Sequence, residues 1–502
     1  MRFTSLIVEL IRARPRLVFW IVVLCQAVIW LVVPLLLYRG PPGDLATVLA
    51  YGREYQVGTH MGPPLAFWLA DIAFRAVGNH VFGVYLLAQI CAVLTFRAVY
   101  HLGRTIVGGP QAVIAVLLTM TVTPFSTPGI EFGPLILARP LWAMFLLHAW
   151  LAIGQGRRNA WFALSIEAGL LLLTTPHAMW LLPLPLVFGL ATSRGRRNLV
   201  SFDPLYALLV IAVLTLPWAM WVIRAGAPVL PALPHLDDLA GKARQWGILI
   251  AWLLAAITGV IVLTVMNWGR IVPKTEEAPI IFRPPVDPLA RGYVFFFALV
   301  PGLLGSLFAA LYGLDRVVGG AGIALVMSGL AVVVASGDLI ALRRQRVLRK
   351  VWAFAIIAPA LAAFASLVIL PWVDGPEDVT ALPAREIGRF FGESFERRTN
   401  RPLSAVAGDA QLAALIGMSA SRPHLLNDAV PSRTPWITPA KFAESGGVVV
   451  WRAADTVGTP PAEITQRFPD LVPELPRAFE RLVNGRQPLL RIGWAIVRPK
   501  AP

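Results

Sequence analysis

Charge is scarce in this chain. Asp, Glu, Lys and Arg make up only 14% of its 502 residues, against about 25% in an ordinary soluble domain. With 57% of the chain hydrophobic, a water-soluble fold could not cover its own surface, which excludes a plain cytosolic enzyme. The two cysteines, Cys25 and Cys91, both sit in apolar runs, so no disulfide framework holds any exported part. No Cys or His cluster carries metal-ligand spacing. No metal site and no cofactor is therefore expected, although dependence on a divalent metal stays open. No glycine-rich loop joins a strand to a helix, which argues against a nucleotide sugar bound in a Rossmann domain. No internal repeat or low-complexity tract is present.

What fills the chain instead is uncharged stretches of bilayer-spanning length. Eleven spans are predicted, at about 17–37, 81–100, 110–126, 134–153, 160–176, 178–193, 205–223, 246–268, 292–314, 318–340 and 351–372. The first run, Leu17 to Leu37, is 21 residues long. It exceeds a signal-peptide core and no small-residue cleavage site follows, so it reads as a retained first span. The fold expected is mainly α: a polytopic membrane helical bundle of about 11 spans over residues 1–372, with a C-terminal extracytoplasmic α/β domain over 373–502.

The net charge of +16 has a place. Residues 1–372 hold 28 basic and 14 acidic residues, whereas 373–502 hold 16 and 14. With the N-terminus inside, the basic clusters fall on one side. They are Arg2, Arg12, Arg14 and Arg16; Arg104; Arg157 and Arg158; Arg194, Arg196 and Arg197; Arg270, Lys274, Arg283 and Arg291; and Arg343, Arg344, Arg346, Arg349 and Lys350. That is the positive-inside pattern of a multi-pass inner-membrane protein, not a nucleic-acid footprint. It predicts membrane lipids rather than nucleic acid as surroundings, a cytoplasmic N-terminus, and a periplasmic C-terminal segment. In that segment 382–398, 410–418 and 461–468 read as helices, and 403–407, 447–452 and 491–497 as short strands, together a two-layer sandwich.

The outer loop 39–80 is the richest in signals. Pro41 and Pro42 end the first span, and Asp44 stands where it can cap a helix over about 45–55. Gly62-Pro63-Pro64 breaks that segment, and an amphipathic helix with Leu65, Trp68, Leu69 and Ile72 on one face follows, suited to lying along the membrane surface. Asp71 and Arg75 are spaced for a local ion pair. His60 reads as a loop histidine or a substrate contact. Beyond this loop, Glu131 is an outer-turn acid beside Pro128 and Gly129. Arg139 is an intramembrane charge and so a candidate for phosphate. Glu167 is a mid-span acid suited to a buried arginine such as Arg97. The loop 224–245 adds His235, Asp237, Asp238, Lys242 and Arg244.

These motifs, in this order, resemble the GT-C glycosyltransferases, most closely the bacterial family-39-like enzymes related to protein O-mannosyltransferases and lipid A aminoarabinose transferases. The resemblance rests on Asp44-Leu45-Ala46, Met61-Gly62-Pro63-Pro64-Leu65-Ala66-Phe67-Trp68-Leu69, Phe82-Gly83-Val84-Tyr85-Leu86-Leu87, Leu102-Gly103-Arg104 and Glu131-Phe132-Gly133. Ala407-Gly408-Asp409, Arg433-Thr434-Pro435-Trp436 and Arg491-Ile492-Gly493-Trp494-Ala495 extend it into the C-terminal segment. The chain departs from the family pattern at Leu45, where the family has Glu, at Met61-Gly62, where it has Asp-His, and at Thr175, where it often has Lys.

The resemblance implies a GT-C-like fold and transfer of a sugar from a polyprenyl-phosphate-linked donor to an acceptor hydroxyl on a lipid, polysaccharide or protein. Asp44 would be the base or acceptor-orienting residue, supported by Glu131. His60, Arg139, His177 and Arg244 are the substrate-binding candidates, the cations facing the leaving phosphate. Two competing readings remain. One is a transporter or flippase, though the paired halves such proteins often show are absent here. The other is a catalytically degenerate scaffold.

Overall fold

The computed structural model describes residues 3–127, 129–226, 234, 237–267, 280–283, 285–342, 345–373, 379–427, 435–453, 455–483, 485–486 and 489–500. Arg2, Pro128, His235, Arg270, Lys274, Arg343, Arg344, Arg433 and Thr434 lie outside the described residues. The chain forms two compact units. One comprises 1–30, 88–129 and 134–360, and the other 31–87, 130–133 and 361–502.

Helices dominate the first unit and run on into the second. Among the described residues, six helices are long and apolar enough to cross a membrane: Pro15–Leu37, Val81–Val107, Pro134–Gly154, Asp203–Ala225, Pro288–Leu311 and Gln345–Trp372. Leu239–Ala256 and Thr258–Asn267 add a broken span bent by 56°. Four shorter apolar helices, Gly109–Thr119, Ala160–Leu172, Ala178–Ala191 and Ala321–Ala335, fall on the remaining predicted spans. The Asp203–Ala225 helix is apolar yet bare: Leu208 and Val213 are 61% and 64% exposed. In water such a surface would aggregate; in a bilayer it faces lipid tails. The chain is a multi-pass membrane protein.

Several segments predicted to share one side meet at one end of the first unit. Strands β1 (Ile280–Phe282) and β2 (Leu339–Ala341) pair antiparallel, joining two loops that the charge pattern places together. Arg12 donates to the carbonyl of Ile280. Gln111, just beyond the Arg104 turn, donates to that of Ile281 at 3.3 Å. Val8, Ile11 and Ile281 pack as a small core beneath them.

Glu167 is buried, and its partner is His148 at 2.8 Å rather than an arginine. The residues around 239–245 are helical, not loop. Asp238 caps the Leu239–Ala256 helix by accepting from the Gly241 N–H at 2.8 Å.

The second unit carries a five-stranded sheet. Its strands are β3 (Ala405–Gly408), β4 (His424–Asn427), β5 (Gly447–Arg452), β6 (Glu474–Phe479) and β7 (Leu490–Val497), in the order β4-β3-β5-β7-β6. The β4-β3-β5 core is parallel, and β7 and β6 complete it antiparallel. Parallel strands need cover on both faces, and all four residues of β3 are buried. Phe390 and Phe391 of the Ala384–Thr399 helix pack edge-on to Trp494 of β7 on one face. On the other, Phe442 and Ile464, from helices Pro439–Ser445 and Ala462–Arg467, join Ala405, Ala407, Val449 and Trp451. The sequence predicts two layers; the structure has three, because the Ala462–Arg467 helix and the Pro439–Ser445 helix, the second absent from the sequence reading, both cover the face opposite the Ala384–Thr399 helix.

Candidate active site

The residues predicted to do chemistry divide between the units. Asp44, His60 and Glu131 belong to the second, whereas Arg139, His177 and Arg244 belong to the first.

Asp44 precedes the Leu45–Gly52 helix at its N-cap position, but its side chain caps nothing. A capping aspartate would accept from the second or third helical N–H. Here the carboxylate is exposed and makes no side-chain hydrogen bond or ion pair among the described residues. The next residue, Leu45, is 1% exposed. The family's Glu would be a buried, desolvated charge at that place.

Glu131 is brought to the same turn. Its carboxyl group lies against Gly43, so closely that a Cβ on that glycine would sit 2.6 Å from Glu131 Oε2. Gly43 also has φ +52°, a backbone region that favours glycine. Gly133 then packs beside Val48 of the same helix. The 130–133 turn thus packs a carboxylate against Gly43, the residue before Asp44, at a position that tolerates no side chain.

His60 is exposed on a tight turn closed by reciprocal backbone hydrogen bonds between Thr59 and Gly62, at 3.2 and 3.0 Å. Its ring packs edge-on to Tyr51, with centroids 5.5 Å apart, and Tyr51 packs edge-on to Trp436 at 5.0 Å. His60 therefore stands on the aromatic end of the helix that begins at Asp44.

Behind this face the helix is anchored by charge. Asp71, on the Leu65–Ala76 helix, is fully buried. It accepts from Arg422 at 2.6 Å, from Arg75 at 2.7 Å and from the Tyr55 hydroxyl at 3.0 Å. Arg422 also donates to the Leu49 carbonyl at 3.2 Å and lies over the Phe74 ring. Burial pushes the Arg53 guanidinium down from its ordinary pKa; Glu54 opposes this, while Arg422 and Arg75 add to it. Burial, then the hydrogen bond to Asp71, pushes the Tyr55 phenol up. The predicted Asp71–Arg75 pair is present, but it is the outer part of a larger buried cluster.

A cavity of about 770 Å³ opens in the same unit. Pro34, Leu35 and Tyr85 give it an apolar wall, and Arg39, Arg385, Arg389 and Ser419 a polar one. Pro41, three residues before Asp44, lines it too. Arg39 and Arg389 are exposed and make no side-chain ion pair among the described residues. Sequence reasoning passed over these cations. The signal was available: Arg385 and Arg389 are four apart on the face of the Ala384–Thr399 helix opposite Ile387, Phe391 and Phe395.

In the first unit, Arg139 donates to the Pro124 carbonyl at 2.7 Å and lies 5.7 Å from the centre of the Phe125 ring. It fastens the short Thr123–Ser126 helix. His177 is half-buried between Thr175, whose hydroxyl accepts its N–H at 3.3 Å, and the Ala178–Leu181 turn. Arg244 is exposed on the Leu239–Ala256 helix, whereas Lys242 donates to the Leu311 carbonyl at 3.0 Å. Among the described residues no group of three His, Cys, Asp or Glu is placed to hold a metal ion.

Comparison with known proteins accords with this architecture. The family described as dolichyl-phosphate-mannose-protein mannosyltransferase matches residues 61–221, a stretch that begins after Asp44 and includes Glu131, Arg139 and His177. The chain is 23% identical over 241 residues to the undecaprenyl phosphate-alpha-4-amino-4-deoxy-L-arabinose arabinosyl transferase of Pseudomonas aeruginosa (strain UCBPP-PA14), covering 44% of this chain and 42% of that protein. It is 28% identical over 165 residues to the protein of the same name from Pseudomonas savastanoi pv. phaseolicola, covering 32% and 31%. The matches thus span less than half the length of these relatives. Among solved structures, the crystal structure of ArnT from Cupriavidus metallidurans bound to undecaprenyl phosphate superposes with a TM-score of 0.61 at 12% identity, covering 97% of this chain and 99% of that one. The chain has the GT-C glycosyltransferase fold. Over less than half its length it is similar in sequence to undecaprenyl phosphate-alpha-4-amino-4-deoxy-L-arabinose arabinosyl transferases.

Proposed function

We propose that this protein is a membrane glycosyltransferase that moves a sugar from a polyprenyl-phosphate donor to an acceptor hydroxyl at the outer face of the inner membrane. The observation that carries the reading is the turn at Asp44: an N-cap carboxylate left unspent, with the Glu131 carboxyl group packed against the preceding Gly43. Relatives named for transfer from undecaprenyl phosphate support it. In this reading the N-terminus is cytoplasmic, and the 373–502 segment, together with the 39–80 loop, is periplasmic.

The chemistry follows from the charges. Asp44 accepts the proton of the acceptor hydroxyl as that oxygen forms its bond to the anomeric carbon. The bond from that carbon to the phosphate oxygen breaks, and the lipid phosphate leaves with the electron pair, inverting the anomeric centre. Glu131 holds the acceptor or tunes Asp44, and His60 contacts the sugar from the aromatic end of the helix. Developing charge on the phosphate needs cations near it. Arg39 and Arg389, in the same unit as Asp44, are the groups assigned to that task. The lipid tail stays in hydrocarbon, which explains why such a catalyst is embedded in a membrane. The acceptor is a lipid, a polysaccharide or a protein.

The test is direct. Purified protein in lipid nanodiscs, given radiolabelled polyprenyl-phosphate sugars and an envelope extract as acceptor source, is expected to release free polyprenyl phosphate and label the acceptor in equal amounts. Transport of an unmodified solute into proteoliposomes without donor turnover would instead establish a transporter.

A further inference from the structure

We propose that the crevice at the C-terminal ends of β3 and β5 is a second binding site, separate from the Asp44 turn, for a neutral polyhydroxylated ligand, a saccharide. It does not depend on the transfer reaction at Asp44.

Topology makes the crevice. From β3 the chain leaves toward β4 on one side, whereas from the neighbouring β5 it leaves toward β6 on the other. Connections that leave adjacent strands in opposite directions diverge and open a gap at the strands' carboxyl ends, where open α/β sheets bind their ligands. A cavity of about 820 Å³ lies there, lined by residues that follow β3 and end β5. Its size is that of a small-molecule site, about 300–1,000 Å³. The two strand ends are held tightly together. The Asp409 N–H donates to the Val450 carbonyl at 2.8 Å, and Gly408 has φ +107°, with a Cβ there falling 1.9 Å from the same oxygen.

The side chains of the crevice describe the ligand. Asp409 is partly occupied in capping the next helix, accepting from the Leu412 N–H at 2.9 Å. Its other oxygen lies 3.8 Å from Arg452 Nε, and Arg452 in turn donates to the Gln411 amide oxygen at 2.6 Å. Carboxylate, guanidinium and amide thus form one linked row along the crevice. Across the gap, Glu463 and Gln466 are exposed on the Ala462–Arg467 helix. Two acids are matched by two arginines, so the cavity favours neither an anion nor a cation. What remains is a dense set of planar donors and acceptors suited to paired hydroxyls. An edge of Trp451, held by donating its indole N–H to the Gly458 carbonyl at 3.2 Å, gives the floor an apolar part.

The full chain in detergent micelles tests this by saturation-transfer NMR with methyl glycosides of neutral hexoses and pentoses, and with inorganic phosphate as a competitor. Wild type and Asp44→Asn are expected to bind a glycoside alike. Gln411→Ala, and separately Glu463→Gln, are expected to weaken binding about tenfold or more while the thermal unfolding midpoint stays unchanged. Both positions lie on exposed or half-exposed helix surface, so these variants keep the fold. Phosphate is expected to leave the signal intact. The proposal is overturned if no glycoside in the panel binds, if both crevice variants bind like wild type, if phosphate displaces the glycoside, or if Asp44→Asn alone removes binding. None of these results bears on whether the protein transfers sugar from a lipid phosphate.

Discussion

Arg422 Nη2 lies 2.6 Å from Asp71 Oδ1, and the two residues are 7% and 0% exposed. They are 351 positions apart in the chain. The contact ties the strand-bearing C-terminal segment to the helix pair that presents Asp44. Arg422 holds a backbone φ of +47°, unusual for arginine, and its guanidinium also reaches Leu49.

This geometry sets an order of severity. Asp71→Asn leaves Arg422 as a buried, uncompensated charge, and breaking such a pair costs about 3–5 kcal/mol. Arg422→Met is milder, because Asp71 keeps Arg75 and Tyr55. Arg75→Ala is mildest: its side chain is half exposed, and an exposed partner is worth about 1 kcal/mol or less. Thermal unfolding in detergent reads the series. Equal losses for Arg75→Ala and Arg422→Met would contradict it.

Gly43→Ala tests the carboxylate pair without removing either acid. The new Cβ would collide with the Glu131 carboxyl group and the φ of +52° would be strained, at a cost of about 1–3 kcal/mol. Turnover is expected to fall with Asp44 and Glu131 both intact. An alanine variant with wild-type turnover would show that the turn has no catalytic part.

The 770 Å³ cavity makes a pH prediction. His80 lines it, and the Arg385 guanidinium lies against its ring while its Nδ1 accepts from the Phe82 N–H at 3.1 Å. Burial, and then the Arg385 charge, hold the imidazole below its usual 6.5. The unfolded chain therefore takes up the proton more readily than the folded one. The contribution of neutral His80 is complete above pH 6.5 and is lost as pH falls through the lower folded value. Wild type is expected to lose thermal stability below pH 6.5 more steeply than His80→Asn. Identical slopes would contradict the assignment.

The cations of that cavity have their own signature. If Arg39 and Arg389 face the donor phosphate in both ground and transition states, replacing either with Ala raises KM for the polyprenyl-phosphate sugar and changes kcat little. A loss confined to kcat would place them at the reacting centre instead. An unchanged KM would remove them from the donor site.

The legibility of these features in the sequence varied for physical reasons. Asp44, Glu131 and His60 stand out in the sequence because each is a polar residue near the prolines and glycines that mark a turn. The packing of Glu131 against Gly43 is not legible, since it depends on a glycine accepting a side chain from a turn 88 residues later. Long apolar helices announced themselves by length alone. Strand β4, only four residues long, and β6, which alternates irregularly between exposed and buried positions, gave too little period to detect. Nothing local to Arg422 in the sequence encodes a partner at Asp71. Arg244 falls in a stretch whose sequence predicts loop, although Asp238 supplies the cap that starts its helix.

The most direct test of the account is single-turnover sugar transfer by Asp44→Asn in nanodiscs, followed as release of free polyprenyl phosphate. The substitution keeps the shape of a side chain that caps nothing and pairs with nothing among the described residues, so the fold should be undisturbed. The account requires release to fall by about 10²-fold or more, the scale of lost general-base catalysis, with the unfolding midpoint unchanged. Wild-type release by Asp44→Asn would contradict it.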